Sequence, residues 1–140
     1  MRFPYRGAGI GLIYEDKILM GLRAKKPFKN TWCVPGGGRE KTLDHSDMDT
    51  ARREFSEETG LKVDFDSLKS LGVFSLKAPF FSWKTFFFRS DRLYTDFVPD
   101  EFYELKWFSL DDIKKETAGH SLRPFAVSEI KLIKRIISSN

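Results

Sequence analysis

The first third of the chain is divided into short apolar blocks separated by polar turns, a pattern typical of β-strands. Residues 8–14 are apolar and rich in glycine, and residues 17–23 follow after a Glu-Asp turn, so the two segments predict a β-hairpin. A basic loop comes next. Residues 31–34 predict a short strand, which Pro35 and the three glycines after it bring to an end.

Two later segments carry the spacing of helices. Residues 50–59 have helical character, and Gly60 stands where a left-handed residue commonly closes a helix. Residues 127–137 place apolar side chains at near-helical spacing and gather lysine and arginine on the opposite face. This second pattern predicts an amphipathic helix that packs on a sheet.

Three further strands are predicted over residues 68–76, 82–89 and 102–108, and Ser109 follows as the N-cap of a helix. Strands before, between and after helices favour a mixed sheet with helices on its faces. The sequence holds no internal repeat and no linker, and a length of 140 residues predicts one domain over residues 1–140.

The composition indicates a cellular compartment and a net positive charge. Hydrophobic residues make up 41% and charged residues 31%, as in ordinary globular proteins. The single Cys33 cannot form an internal disulfide, no signal pattern begins the chain, and no apolar run approaches the roughly 20 residues that cross a bilayer. We therefore expect a cytoplasmic protein without a membrane partner. A net charge of +4 suits an anionic partner, although a small excess also serves solubility.

Three glutamates, Glu54, Glu57 and Glu58, stand at positions i, i+3 and i+4 of the first predicted helix and therefore share one face. Carboxylates crowded in this way repel one another, and a hard divalent cation relieves that repulsion. Magnesium shares its shell with water and substrate phosphates, so a few carboxylates suffice. Arg53 offers a planar fork that can hold one glutamate in place. The alternative is a solvated acidic face with an Arg53–Glu57 pair.

These residues belong to a longer pattern. The stretch from Arg53 to Leu61, R-E-F-S-E-E-T-G-L, resembles the second half of the Nudix box, G-x5-E-x7-R-E-U-x-E-E-x-G-U, where U is bulky and apolar. It matches at every defined position. Residues 32–37, W-C-V-P-G-G, resemble the usual lead-in, and residues 104–111 resemble the late strand and helix of the Nudix hydrolases. The resemblance extends from the first hairpin to the last helix.

The first half of the box departs from this pattern. Five residues after Gly38 lead to Asp44 rather than to a glutamate, and eight residues separate Asp44 from Arg53 instead of seven. Counting back from Arg53 reaches His45. Either Asp44 replaces the first glutamate of the box after an insertion of one residue, or His45 occupies that position. We expect Asp44 to cap the helix rather than to bind the metal.

The resemblance implies an α/β fold, the Nudix-type α/β/α sandwich with a mixed β-sheet and helices on both faces. It also implies a Mg2+-dependent pyrophosphohydrolase, with Mn2+ as a substitute ion. Water would attack phosphorus and cleave a phosphoanhydride bond in a nucleoside diphosphate linked to another moiety. By position, Glu57 and Glu58 would bind the metal. Glu54 would be a third metal ligand or the base that deprotonates water, and Arg53 would orient one of the glutamates.

Several residues outside the acidic helix are candidates for the same site. Glu104 is the candidate general base outside the box, against the alternative of a surface strand residue. Arg23 is a candidate phosphate contact, against the alternative of a solvated member of the basic loop. Gly37 and Gly38 would let the backbone approach the substrate closely. Trp32 is expected to pack in the core rather than to stack on a base.

A cluster of aromatic residues follows the predicted turn at residues 77–79. Strand alternation implies that only some of them point inward, and the rest would line a nucleobase pocket or a protein interface. The cluster comprises Phe80, Phe81, Trp83, Phe86, Phe87 and Phe88. The two histidines, His45 and His120, are expected at the surface.

The substrate and the competing functions remain open at this point. Nucleoside triphosphates, nucleotide sugars, dinucleoside polyphosphates and capped or triphosphorylated RNA ends all fit the reaction, with a small nucleotide favoured over RNA. A non-catalytic Nudix-like domain that senses a nucleotide or binds a partner is the main alternative. A nucleic-acid-binding module built on the basic loop and the last helix is another, and it predicts steep salt dependence of binding. The oligomeric state is open, a homodimer included.

Overall fold

The computed structural model describes residues 4–26, 28–119 and 127–139. Seven strands and three helices make up the described part, with a short 3-10 turn at Phe65–Ser67. The strands are β1 (Tyr5–Tyr14), β2 (Lys17–Arg23), β3 (Trp32–Cys33), β4 (Gly36–Gly38), β5 (Lys69–Ala78), β6 (Phe81–Arg89) and β7 (Phe102–Phe108), and the helices are α1 (Asp47–Thr59), α2 (Leu110–Ala118) and α3 (Val127–Ser138).

All seven strands join one mixed sheet. Its main path runs β3-β2-β1-β6-β5, while β4 pairs with β1 and β7 pairs with β2. Strand β1 is parallel to β6 over the nine positions from Tyr5 to Ile13, and the remaining pairs are antiparallel. The predicted hairpin of β1 and β2 is present, but the two strands pair only next to their turn, at Ile13 with Ile18 and Tyr14 with Lys17.

Helices cover both faces of this sheet, which confirms the predicted mixed α/β architecture. On one face α1 packs its buried residues Ala51 and Phe55 against the apolar side chains of β1. On the other face Ile113 of α2 and Ile133 of α3 close a second apolar cluster. Strand β1 therefore contributes to two cores, and glycines on its α3 side make room for aromatic rings: a side chain at Gly9 would lie 3.0 Å from the ring of Trp83.

Strand β6 buries aromatic residues on both faces, so alternation leaves fewer of them exposed than predicted. Trp83 and Phe87 pack in the cluster with α3, while Phe88 and the partly buried Phe86 pack in the cluster with α1. Phe80, at the turn before β6, is the member of the aromatic group that stays exposed, at 72%. Trp32 is buried and packs on Phe108, with ring centroids 4.8 Å apart, as predicted.

Several element boundaries differ from the predicted ones: β1 begins three residues earlier, at Tyr5, and β5 ends two residues later, at Ala78. Helix α1 begins at Asp47, three residues before the predicted start. The glycines predicted to end a strand form β4 themselves, because Gly36, Gly37 and Gly38 pair with β1 in antiparallel register. Ser109 caps α2 as predicted, in a capping box with Asp112. Among the described helices, none has the length and apolar character that a membrane span requires.

Candidate active site

Helix α1 presents its acidic side chains in a fixed register because both of its ends are anchored. Ser46 is the N-cap, and its hydroxyl accepts a hydrogen bond from the Asp49 amide at 3.1 Å. Gly60 closes the helix in the left-handed conformation at φ 72°, as predicted. Phe55 is fully buried against the sheet. Glu54 and Glu58, on a neighbouring side of the helix, face β4.

Glu58 is the most deeply buried of the three helix glutamates, with 4% of its surface exposed. Its Oε1 accepts a hydrogen bond from the Gly36 amide at 2.9 Å. Burial, together with the charge of Glu54, raises the pKa of Glu58 to about 9, against the opposing effect of the Gly36 hydrogen bond. Ionising Glu58 is therefore unfavourable in the metal-free protein, and a cation bound beside it would offset that cost.

Glu54 lies one turn earlier and packs on the neighbouring glycine of β4. A Cβ at Gly37 would lie 2.5 Å from the carboxyl carbon of Glu54, so the glycine leaves room for this carboxylate. Burial raises the pKa of Glu54, and the positive charge of Arg53 opposes that shift. Two partly desolvated carboxylates therefore adjoin β4 on successive turns of α1.

Replacing Gly37 by Ala is expected to displace the Glu54 carboxylate, because the side chain yields more easily than the backbone. We expect hydrolysis to fall by about tenfold or more, while the free energy of unfolding changes by about 1 kcal/mol or less. The comparison variant is Gly38→Ala, whose added Cβ would meet the Tyr5 ring at an ordinary 3.4 Å without displacing Glu54, so its loss of activity should be smaller. Equal activities of the two variants would contradict this role for Gly37.

Arg53 and Asp44 form a buried ion pair at the N-terminal side of the site. The guanidinium donates from Nε and Nη2 to the two carboxylate oxygens of Asp44, both at 2.9 Å. Nη2 also donates to the Gly38 carbonyl at 3.0 Å. The pair holds the pKa of Asp44 well below its usual range and raises that of Arg53. Asp44 is 3% exposed, so this pair is a structural element of the site.

These contacts decide between Asp44 and His45. Asp44 reaches Arg53, and its Oδ2 accepts two further hydrogen bonds, from the Thr50 hydroxyl and the Glu40 amide. The preference for Asp44 as a helix cap was wrong, because Ser46 provides the cap. His45 is exposed, as predicted, and His120 lies outside the described residues. Asp44 thus meets Arg53 despite the extra residue in the box.

Glu57 occupies a more open position than the other two glutamates. Its side chain is 53% exposed and lies 3.2 Å from Arg53 Nη1, which also contacts Glu54 at 3.2 Å. The predicted i, i+4 pair with Arg53 is therefore present. It coexists with the buried carboxylates, so the helix face is not uniformly solvated.

The structure places Glu104 and the α1 glutamates on opposite faces of the sheet. Leu105 packs in the cluster with α1, and Glu104, its neighbour on β7, pairs with Leu22, which packs in the cluster with α3. The side chain of Glu104 is exposed. The alternation of apolar residues along β7 already indicates, from sequence, that Glu104 and Leu105 lie on opposite faces of the sheet.

Glu101, just before β7, is the acid that the sequence analysis missed. The Asp100 amide donates to the Glu58 carbonyl at 3.1 Å, and the Ala24 amide donates to the Glu101 carbonyl at 3.0 Å. These bonds hold residue 101 between the C-terminal end of α1 and the end of β2. The charge of Glu101 raises the pKa of both Glu54 and Glu58, which reflects its proximity to them.

Arg23 lies at the end of β2, on the same side as Glu58. Its positive charge lowers the pKa of Glu58 and so opposes the effect of burial. Its amide and carbonyl form hydrogen bonds with Thr31 and Asn30, which fix the base of the basic loop. A positively charged side chain therefore lies near the acidic centre.

The donors at this centre fit a hard divalent cation. No three described residues among His, Cys, Asp and Glu form a ready-made metal cluster. The buried Glu58 and its neighbour Glu54 instead provide two carboxyl groups whose ionised forms are penalised by burial and would be favoured by a bound cation. Magnesium is commonly held by one or two carboxylates together with substrate phosphates, so two such groups match its needs.

Comparisons with known proteins agree with this geometry. The NUDIX domain model matches residues 4–127. The uncharacterized Nudix hydrolase YvcI of Bacillus subtilis (strain 168) is 31% identical over 118 residues, which cover 81% of this chain and 72% of that protein.

Solved structures share the fold at lower sequence identity. The Nudix hydrolase RenU of M. smegmatis superposes with a TM-score of 0.75 at 18% identity, covering 97% of this chain and 87% of that one. A bifunctional NMN adenylyltransferase/ADP ribose pyrophosphatase of Francisella tularensis, complexed with AMP and a Mn ion, gives 0.68 at 24% identity. That match covers 79% of this chain but 36% of the larger enzyme. The chain belongs to the Nudix hydrolase family, whose members are generally pyrophosphohydrolases acting on nucleoside diphosphate derivatives.

Proposed function

We propose that this protein is a magnesium-dependent pyrophosphohydrolase that cleaves a phosphoanhydride bond in a nucleoside diphosphate linked to another moiety. The observation that carries the proposal is the pair of desolvated carboxylates, Glu54 and Glu58, which adjoin β4 beside Arg23. The AMP and the Mn ion bound by the similar Francisella enzyme support a nucleotide substrate and a divalent cation.

Glu54 and Glu58 would hold the ion, with Glu57 reaching it from the open side. When bound, such an ion neutralises phosphate charge and lowers the pKa of water. Arg53 positions this face: it contacts Glu54 and Glu57 and is itself fixed by Asp44. Arg23 would contact a substrate phosphate, while Gly37 and Gly38 let the backbone approach the substrate.

Glu101 would accept the proton of the attacking water. Its carboxylate is 53% exposed and lies 3.4 Å from Lys25 Nζ, so it can be reached from solvent. Its backbone is fixed next to the last carbonyls of α1. A general base must stand within reach of the water it activates, and among the described acids outside α1, Glu101 has the placement to do so.

Two measurements test the proposal together. The first is a screen of nucleotide substrates with Mg2+, Mn2+ or EDTA, followed by release of phosphate or nucleoside monophosphate. The second is thermal unfolding with and without Mg2+, which detects ion binding without any substrate. We expect metal-dependent turnover and a rise in Tm for the wild type, and neither for Glu54→Gln. Turnover in EDTA, or no turnover together with no Tm shift, would contradict the proposal.

The Glu101→Gln variant is expected to lower kcat/KM by about 10²-fold, because general-base catalysis contributes roughly 10²–10⁴-fold. Its Mg2+-dependent Tm shift should stay, because Glu101 does not belong to the proposed ion site. Glu104→Gln is the matched control and should keep wild-type activity, since Glu104 faces the other side of the sheet. A larger loss in Glu104→Gln would restore Glu104 as the candidate base.

A further inference from the structure

A basic cavity lies away from the acidic face of α1, between the start of β1, the β5–β6 turn and the segment that follows β4. Its volume is about 930 Å³, similar to that of small-molecule binding sites. Four cationic side chains line it, and Glu40 is the one carboxylate among the described lining residues. The cations are Arg6, Arg39, Lys41 and Lys77.

Two of these cations have no carboxylate partner among the described residues. Asp47 lies 2.7 Å from Arg6 and 3.9 Å from Arg39. Lys41 and Lys77, in contrast, form no ion pair with any residue in the described ranges. A smaller adjoining cavity shares Lys77 and also holds Lys84, whose Nζ lies 3.1 Å from Asp47 Oδ2, so Lys41 and Lys77 carry the excess charge. The excess positive charge favours an anion, and phosphate is the anion that lysine and arginine clusters commonly bind.

Aromatic surface adjoins these cations. The rings of Tyr5 and Phe81 are stacked, with centroids 5.6 Å apart and planes inclined by 19°. Phe80 lines the same cavity and is 72% exposed. Its backbone is left-handed at φ 63°, a strained conformation for a bulky residue, and the Tyr5 amide holds it by donating to the Phe80 carbonyl at 2.7 Å. The turn thus holds an aromatic ring at the surface beside unpaired lysines.

We propose that this cavity binds a nucleoside monophosphate unit, with the base against Phe80 and the phosphate at Lys41 and Lys77. Exposed aromatic rings stack on bases, and lysine ammonium groups bind phosphate, so the two features together fit a nucleotide better than a simple anion. The site is distinct from the carboxylates of α1, which would hold the cleaved phosphoanhydride.

The cavity is nevertheless connected to the active site through one strand. Arg39 follows Gly38 and continues the β1 ladder by donating to the Arg6 carbonyl at 2.8 Å. Gly37, which adjoins Glu54, is two residues away, or about 7 Å along an extended strand. The bound unit is therefore either a free nucleotide or the distal half of a substrate with two nucleotides. The second source rests on the proposed function.

The test is calorimetric titration of the metal-free protein, in EDTA, with AMP, adenosine and inorganic phosphate as separate probes. We expect saturable AMP binding that is at least about tenfold tighter than binding of either fragment. Lys77→Glu and Phe80→Ala should each weaken AMP binding by about tenfold. Lys69→Glu is the matched control, since Lys69 lies on the same strand outside the cavity, and it should bind AMP normally. Glu58→Gln should also bind AMP normally.

The outcomes separate this inference from the proposed function. Absence of saturable AMP binding, phosphate binding as tight as AMP binding, or AMP binding that Lys77→Glu and Phe80→Ala leave unchanged would overturn it, even in an active enzyme. If the protein binds AMP through Lys77 but shows no turnover, the nucleotide site is supported and the proposed function is contradicted. If Lys77→Glu raises the KM for a dinucleoside polyphosphate but not for a nucleoside triphosphate, the cavity binds the distal half of a substrate with two nucleotides. If both KM values are unchanged, the cavity binds a free nucleotide.

Discussion

Replacing Glu58 by Gln is expected to remove hydrolysis and to stabilise the metal-free protein at the same time. Hydrolysis should fall by about 10²–10³-fold or more, because a buried ligand and its charge are lost from the site. At pH 7 the free energy of unfolding should rise by about 1–3 kcal/mol, because the neutral amide avoids the cost of protonating the carboxylate when the chain folds. Steady-state kinetics and urea unfolding in EDTA measure the two effects.

The pH dependence follows from the direction of the pKa shift. The folded protein keeps the Glu58 proton until about pH 9, whereas the unfolded chain releases it near the ordinary value of 4.5. The stabilising proton is therefore fully present below pH 4.5, and stability is lost as the pH rises towards 9. Wild-type stability in EDTA should fall across this window with a slope of up to about 1.4 kcal/mol per pH unit from this group, and Glu58→Gln should lack that slope.

Glu57→Gln is the matched control, since the exposed Glu57 side chain should change the free energy of unfolding by about 0.5 kcal/mol or less. An equal stabilisation of both variants would show that the effect comes from net charge rather than from burial. A Glu58→Gln protein that keeps full turnover would remove Glu58 from the active site.

Replacing Asp44 by Ala is expected to cost about 3–5 kcal/mol of the free energy of unfolding, because it leaves the Arg53 guanidinium without its buried partner. The Thr50 hydroxyl and the Glu40 amide lose an acceptor as well. Hydrolysis should also fall, since Arg53 would no longer be fixed beside Glu54. Urea unfolding at pH 7, together with kinetics on the folded fraction, measures both losses.

The matched control for this prediction is another Arg–Asp pair, whose arginine lies next to Arg53 on α1. Arg52 Nη2 lies 2.9 Å from Asp66, whose carboxylate is 81% exposed, so Asp66→Ala should cost less than about 1 kcal/mol. Asp44 has a lowered pKa, so its contribution is present above its ordinary range and is lost as the solution becomes more acidic. Equal losses in Asp44→Ala and Asp66→Ala would contradict a structural role for the buried pair.

The acidic helix could be predicted from sequence because its signals are local. Three glutamates at helical spacing, the arginine before them and the closing Gly60 all lie within one turn or two of each other. The partner of Arg53 was harder to assign because the extra residue shifts the count, and only the buried contacts of Asp44 resolve it. Local chemistry was thus predictable, and the register of the loop was not.

Other parts of the site depend on contacts between distant segments. Glu101 follows a stretch without regular structure, and its place is fixed by hydrogen bonds from Asp100 to Glu58 and from Ala24 to Glu101. Three consecutive glycines have little strand propensity, yet residues 36–38 form β4 because they pair with β1. The absence of a side chain at Gly37 also lets the Glu54 carboxylate of α1 lie close to the β4 backbone. The face of Glu104 was readable from Leu105 and the alternation along β7, which the sequence analysis did not use.

The segment before β7 is bonded to the end of α1 by two amides, since Val98 donates to Thr59 and Asp100 donates to Glu58. Amide hydrogen exchange at these two positions reports how often the segment separates from the helix. Each opening would carry Glu101 away from the carboxylates. Slower exchange in the presence of a bound nucleotide would mean that ligand binding holds Glu101, the proposed general base, beside the carboxylates.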